Sequence, residues 1–260
     1  MNFSFRVTSF NIRYDNPKDG RNSWKERRDI FLKTISQIKP DILALQEVLY
    51  NQLCFIRKGL PAYDYVGVGR EDGGLRGEFV PIFFKKDVFY KLSDGCFWLS
   101  ETPDLPGSRG WGAKLPRIVC WVKIALRYSV EDCPIYVFNA HFSHVSEEAR
   151  VKSAELLVRY VENLGNRGHV ILTGDFNAVV GSLPYDILVK AVGYDTGYRV
   201  GNKRTGTYHG FTGIPTDRTI DWIIVSGDME LKSFSVCDYN VEGKYPSDHF
   251  PVSADLNIKC

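Results

Sequence analysis

Short runs with strand character recur along almost the whole chain, and they constrain its fold more than any other feature. Phe3–Phe10 alternates with period two, the mark of a strand with one buried face. Asp41–Leu45 is nearly all apolar, as expected of a strand covered on both faces. Further strands are predicted at Tyr63–Val68, Phe79–Phe84, Cys96–Leu99, Ile118–Leu126, Ile135–Phe142, Val170–Thr173, Thr219–Val225 and Phe250–Leu256. Helical spacing is scarcer. Ser23 and Glu26 form a capping-box pattern ahead of Ile30, Phe31, Ile35 and Ile38, and Lys39-Pro40 stops the run. It returns at Ser146–Leu164 and Tyr185–Ala191, while Gly69–Gly77, Pro103–Pro116 and Gly201–Pro215 read as loops. Helical stretches lying between strands predict two packed sheets with helices outside. No repeat, low-complexity tract or hinge-like linker interrupts residues 1–260, so one domain is expected.

Composition narrows the function. The 44% of apolar residues are ample for a core. Thirty-three basic against thirty-one acidic residues give a net charge of +2, which argues against tracking a long polyanion through its phosphates. The basic runs Lys25–Arg28 and Lys85-Lys86 read as solvated faces. The six cysteines are scattered without a Cys-x-x-Cys pair, so reduced thiols are expected and zinc is not. The first residues lack a secretory apolar stretch and no apolar run is long enough to span a bilayer, which predicts a soluble, cytoplasmic protein. No obligate protein partner is indicated.

Chemistry collects where the apolar runs stop. Asn11, Glu47, His141, and Asp175 with Asn177 each follow a strand, Asp221 opens one, and Asp248-His249 precedes the last. Strand ends of this kind converge on a common rim. Asp175 and Asn177 stand two apart, so in extended chain both point to one face. The oxygen donors of Asn11, Glu47 and Asp248 suit Mg²⁺, with Mn²⁺ a possible substitute, rather than zinc. Singly, each piece has an ordinary explanation: a turn for Gly-Asp-Phe-Asn, a hydrogen-bonded structural histidine for His141, a strand-initiating loop for Ser-Asp-His.

Their order carries more. Ser9-Phe10-Asn11, Leu45-Gln46-Glu47-Val48, Asn139-Ala140-His141-Phe142-Ser143-His144, Gly174-Asp175-Phe176-Asn177, Ile220-Asp221-Trp222-Ile223 and Ser247-Asp248-His249 together resemble the endonuclease/exonuclease/phosphatase superfamily over essentially the whole chain. The resemblance implies a four-layered α/β sandwich, two packed, mainly antiparallel β-sheets flanked by helices. It implies Glu47 as principal metal ligand with Asn11 and Asp248 beside the same ion. Asp175 and Asn177 would activate and position the attacking water. His249 would contact the phosphate, paired with Asp221, and His141 would stabilise phosphoryl oxygens or protonate the leaving group.

Gln46-Glu47-Val48-Leu49 departs from the Gln-Glu-Thr-Lys of abasic-site endonucleases, and Asn177-Ala178-Val179 from the inositol polyphosphate phosphatases. Segments around Arg70, Glu78, Arg117, Tyr208 and His209 resemble a compact group within the superfamily and, with His144, are expected to form the substrate pocket. Arg70 and Arg117 can fork onto phosphate oxygens; a surface position is the ordinary alternative for Arg70. The expectation is a Mg²⁺-dependent phosphodiesterase acting on a phosphoester substrate, with a nuclease on short or single-stranded nucleic acid as one candidate. A phosphomonoesterase on a small metabolite or lipid head group is the nearest rival, and a catalytically silent binding module is the alternative from another class.

Overall fold

The computed structural model describes residues 2–128, 133–165, 168–199 and 206–259. Two six-stranded sheets form the body. The first runs in the order β11 (Glu230–Val236), β12 (Val252–Lys259), β1 (Asn2–Asn11), β2 (Ile42–Gln46), β4 (Ile82–Lys85) and β3 (Tyr63–Val66). The second runs β5 (Phe89–Trp98), β6 (Ile118–Leu126), β7 (Ile135–His141), β8 (His169–Asp175), β10 (Asp221–Ser226) and β9 (Gly193–Asp195). Each sheet is mixed. The pairs β1–β2 and β7–β8 are parallel and the remaining pairs antiparallel.

Inward side chains of both sheets, among them Val7, Ile42, Phe84, Val122, Val137 and Ile223, meet in one core. Helices α1 (Trp24–Ile38) and α2 (Tyr50–Gly59) cover the outer face of the first sheet through Phe31, Ile35, Leu53 and Ile56. Helices α3 (Glu147–Gly165) and α4 (Leu183–Val192) cover the second through Leu157 and Leu188. The four-layered sandwich expected from the sequence is therefore the fold. No helix among the described residues is long and apolar enough to cross a membrane.

The parallel pairs place the site. Asn11 and Gln46 are register partners where β1 and β2 end, as are His141 and Asp175 where β7 and β8 end, with Asp221 opposite Asp175. Buried Asn139 ties the two sheets together here. Its Nδ2 donates to Leu45 O and its Oδ1 accepts from Gln46 Nε2, both at 2.7 Å. Gly174 permits the close β7–β8 approach, since a Cβ there would sit 2.3 Å from Ala140 O.

Several elements differ from the expectation. β5 begins at Phe89 rather than Cys96, because residues Tyr90 to Asp94 are exposed and show no apolar alternation. β11 is an exposed edge strand without a strong pattern, and α2 starts after Leu49, whose side chain cannot cap. The basic run of α1 is not wholly solvated: Arg27 is 2% exposed and its guanidinium donates to the carbonyls of Ile12, Arg13, Tyr14 and Pro246. Part of the loop expected over Gly201–Pro215, and Cys260, lie outside the described residues. The expectation of reduced thiols holds for Cys54 and Cys237 but is overturned for three other cysteines. Cys96 and Cys120 are register partners across β5 and β6 and form a disulfide, and Cys133 is also disulfide-bonded. A separation of 24 residues hides such a pairing until the register is known.

Candidate active site

Backbone conformation at the strand ends aims the polar groups. Arg13, Glu47 and Asn177 have φ of 56°, 61° and 48°, the left-handed region that non-glycine residues enter when surrounding contacts impose it. A cavity of about 510 Å³ opens at this edge, walled by Arg13, Tyr14, Glu47, Glu78, Leu115, Arg117, His141, His144, Asp175, Asn177, Tyr208, Arg218, Ile220, Asp248 and His249. Most of the residues predicted from the sequence thus share one cavity.

Asn11 and Asp221 stand directly behind it. Asn11 Nδ2 donates to Glu47 Oε1 (3.1 Å) and Asp175 Oδ2 (2.9 Å), so this buried amide sets the spacing of two carboxylates. Tyr14 N–H donates to Glu47 Oε2 at 3.1 Å. Asn177 N–H donates to Asp175 Oδ1 at 3.0 Å, and Asn177 Nδ2 to Phe142 O at 3.1 Å. Burial, followed by the neighbouring Asp221 carboxylate, raises the Asp175 pKa well above the ordinary carboxylate range. A carboxylate so placed is a stronger base.

The two histidines are driven to opposite charge states. His249 Nδ1 lies 2.9 Å from Asp221 Oδ2 and its Nε2 lies 3.8 Å from Asp175 Oδ2. Burial works against a cation there, but Asp221, with Asp175 and Asp248, outweighs it and raises the imidazole to about 10. His141 is equally enclosed, 3.6 Å from Asp175 and 3.8 Å from Glu78. Burial and then the Arg117 and Arg70 guanidiniums hold it well below its ordinary value. One ring is an imidazolium near neutral pH and the other a neutral donor and acceptor, a separation typical of acid–base sites.

The donor set suits a hard cation. Glu47 and Asp248 face the cavity, and burial, with Glu47 among the contributing charges, raises the Asp248 pKa, a pair of oxygen ligands that a divalent ion would stabilise. Asn11 Oδ1 already accepts from Arg13 N–H at 3.0 Å, leaving one lone pair. Asp175, Asp221 and His249 also cluster closely enough to hold an ion. His249 Nδ1 is engaged by Asp221 at 2.9 Å, whereas the carboxylates of Glu47 and Asp248 face the cavity and offer the oxygen donors that a hard cation prefers.

Arg70 and Arg117 are each 5% exposed, so neither is a surface arginine. Arg70 pairs with Glu78 at 2.6 Å and Arg117 Nη2 bonds His144 Nδ1 at 2.9 Å, forming one wall. Arg70 itself stands behind that wall. Tyr208 lies across the cavity, its ring 5.1 Å from that of His249. His209 departs from the expectation of a substrate contact. It stacks on Phe250 at 4.0 Å, accepts from Gly213 N–H at 3.1 Å and does not line the cavity, because its side chain points opposite to that of its neighbour Tyr208. Sequence reasoning missed Arg13, Tyr14, Arg218 and Ile220. Arg13 had one signal, its place two residues after Asn11.

Carboxylates, amides and two histidines of different charge state thus meet at one edge of a layered sandwich. The sequence profile of the endonuclease/exonuclease/phosphatase family matches residues 8–249, and this chain belongs to that family. A family protein from Bacteroides thetaiotaomicron has a crystal structure of 35% identity, covering 100% of both chains at a TM-score of 0.93. A mannosyl-6-phosphatase of the same species is 35% identical over 97% of this chain and 99% of its own, at 0.90. Two uncharacterised proteins of Acanthamoeba polyphaga mimivirus share 33% and 24% identity over 59% and 88% of this chain, which spans 59% and 40% of their lengths.

Proposed function

We propose that this protein hydrolyses a phosphate monoester of a compact, hydroxyl-rich molecule, with a sugar phosphate as the leading substrate. The observation that carries this is the cavity itself. At about 510 Å³ it has the size of a small-molecule site, and Leu115, Ile220 and the Arg117–His144 pair wall it in. Binding a single-stranded nucleic acid would instead call for a basic groove with successive stacked aromatics. The similarity to a mannosyl-6-phosphatase along nearly the full length of both chains supports the same substrate class.

In this reaction Glu47 and Asp248 would hold Mg²⁺, with Asn11 fixing Glu47. The ion would offset charge on the transition-state oxygens. Asp175, its basicity raised by burial, takes a proton from the attacking water while Asn177 positions that water. The His249 imidazolium, held by Asp221 at 2.9 Å, donates to a non-bridging phosphate oxygen. Neutral His141 addresses the adjacent oxygen, and its Nδ1 faces Glu78 at 3.8 Å. His144, with Nδ1 accepting from Arg117, presents Nε2–H towards the leaving alcohol.

The discriminating assay compares p-nitrophenyl phosphate and mannose 6-phosphate with bis(p-nitrophenyl) phosphate and a short oligonucleotide, in Mg²⁺ and in EDTA. Monoester turnover in Mg²⁺ at least tenfold above diester turnover is expected. Turnover of diesters alone would restore the phosphodiesterase reading, and no turnover would favour the silent binding module.

A further inference from the structure

We propose that Arg13, clamped by Asp19, holds the third non-bridging oxygen of a phosphate monoester and so sets the preference for monoester over diester. The proposal rests on the monoester reading above. A diester presents two non-bridging oxygens; a monoester presents three and carries a second negative charge. Selecting the monoester therefore needs one more fixed cation than the shared hydrolytic machinery supplies.

Arg13 is built for that position. Its backbone is held at φ 56° by contacts on both sides. Its N–H donates to Asn11 Oδ1 at 3.0 Å, and its carbonyl accepts from Gln52 Nε2 at 3.0 Å and from the buried Arg27 guanidinium. The side chain is equally fixed. Nε and Nη2 donate to Asp19 Oδ2 and Oδ1, each at 3.1 Å, and Asn16 Nδ2 donates to Asp19 Oδ1 at 3.0 Å. The guanidinium lies 4.7 Å from the Tyr14 ring centroid, with Nε 3.9 Å from Asp248 Oδ2. Its Nη1 makes no hydrogen bond among the described residues, and the residue lines the cavity beside Asp248 and Glu47. A planar fork with one edge bound to Asp19 and Nη1 unpaired, on a residue that lines the cavity, is preorganised to take an anionic oxygen.

Arg117 is the competing cation, but its place differs. Nη2 is given to His144, Nη1 is buried without a hydrogen-bond partner among the described residues, and Glu78 is the carboxylate facing it, so what separates the two arginines is their place in the cavity. Arg117 stands with His144 on one wall, whereas Arg13 stands beside Asp248.

The test uses full-length Arg13→Ala, Arg13→Lys and Asp19→Asn in saturating Mg²⁺. Two quantities are read: the ratio of kcat/KM for p-nitrophenyl phosphate to that for bis(p-nitrophenyl) phosphate, and the Kd of inorganic phosphate by calorimetry. Arg13→Ala should lower the ratio about 10- to 100-fold, the range of one lost charge-assisted hydrogen bond, and weaken phosphate to a similar degree. Arg13→Lys should recover part of both. Asp19→Asn, acting through Arg13 as a positioning change, should shift both in the same direction by less. An unchanged ratio with unchanged phosphate affinity in folded Arg13→Ala overturns the proposal, and so does an equal loss on both esters. Wild-type turnover restricted to diesters overturns the monoester reading instead, so the two failures appear in different proteins.

Discussion

Asp221→Asn is the sharpest perturbation available to this site. Asp221 is 2% exposed and bonds His249 Nδ1 at 2.9 Å, and its charge is the main reason the ring stays protonated in a place where burial opposes any cation. The rise from 6.5 to about 10 corresponds to roughly 5 kcal/mol of charge stabilisation as an upper limit. If about 3 to 4 kcal/mol of it acts on the transition state, kcat/KM should fall on the order of 10²- to 10³-fold. The amide still accepts from Nδ1–H, so the fold should survive and melting should stay near wild type. His249→Ala should cost on the order of 10²- to 10⁴-fold, and the double variant little more than either single one, since residues acting as a unit are not additive. The assay is steady-state hydrolysis of p-nitrophenyl phosphate, paired with an NMR titration of the His249 ring. In wild type the raised pKa adds stability that is complete below pH 6.5 and lost as pH rises through about 10; in Asp221→Asn that dependence should weaken, since Asp221 is the largest raising cause and Asp175 and Asp248 remain. Wild-type turnover in Asp221→Asn, or losses that multiply in the double variant, would refute the dyad.

Metal dependence should be absolute: EDTA-treated protein should lose turnover and recover it with Mg²⁺, and Glu47→Gln should weaken Mg²⁺ binding at least tenfold by calorimetry. Alkylation of Cys54 and Cys237, neither of which lines the cavity, should leave most activity; complete inactivation prevented by substrate would contradict this. Replacing the Cys96–Cys120 disulfide by two alanines should lower stability by about 3 kcal/mol in denaturant melts through loss of loop closure, with turnover retained. Burial, then Asp41 and Asp87, raises the Tyr63 pKa to about 12. The folded state thus keeps a proton that the unfolded chain releases, so stability should fall by about 1 kcal/mol between pH 10 and 12 after allowance for partial exposure, and Tyr63→Phe should remove that slope.

The polar residues at strand ends were legible because they follow local apolar runs: Asn11 after Val7–Phe10, Glu47 after Ile42–Leu45, Asp175 after Val170–Thr173. Strand period, like helix spacing, is a property of neighbouring residues, so the layered sandwich and most of the residues that line the cavity could be read from one dimension. α2, β11 and the outer half of β5 could not, since exposed edges and uncapped starts leave weak patterns. His209 and Tyr208 look equivalent in sequence, yet alternation sends one to Phe250 and the other to the cavity.

The amino-acid sequence alone therefore determined which groups are present and that they end strands. Tertiary structure decided their states. His141 and His249 are the same side chain and both are buried; the Arg117 and Arg70 guanidiniums beside one and the Asp221, Asp175 and Asp248 carboxylates beside the other separate them. Arg13 became part of the site only through Asp19, Gln52 and Arg27, and Cys96 met Cys120 only through the β5–β6 register. Charge state and pairing depend on distance and burial, and those are fixed by contacts between residues far apart in the chain.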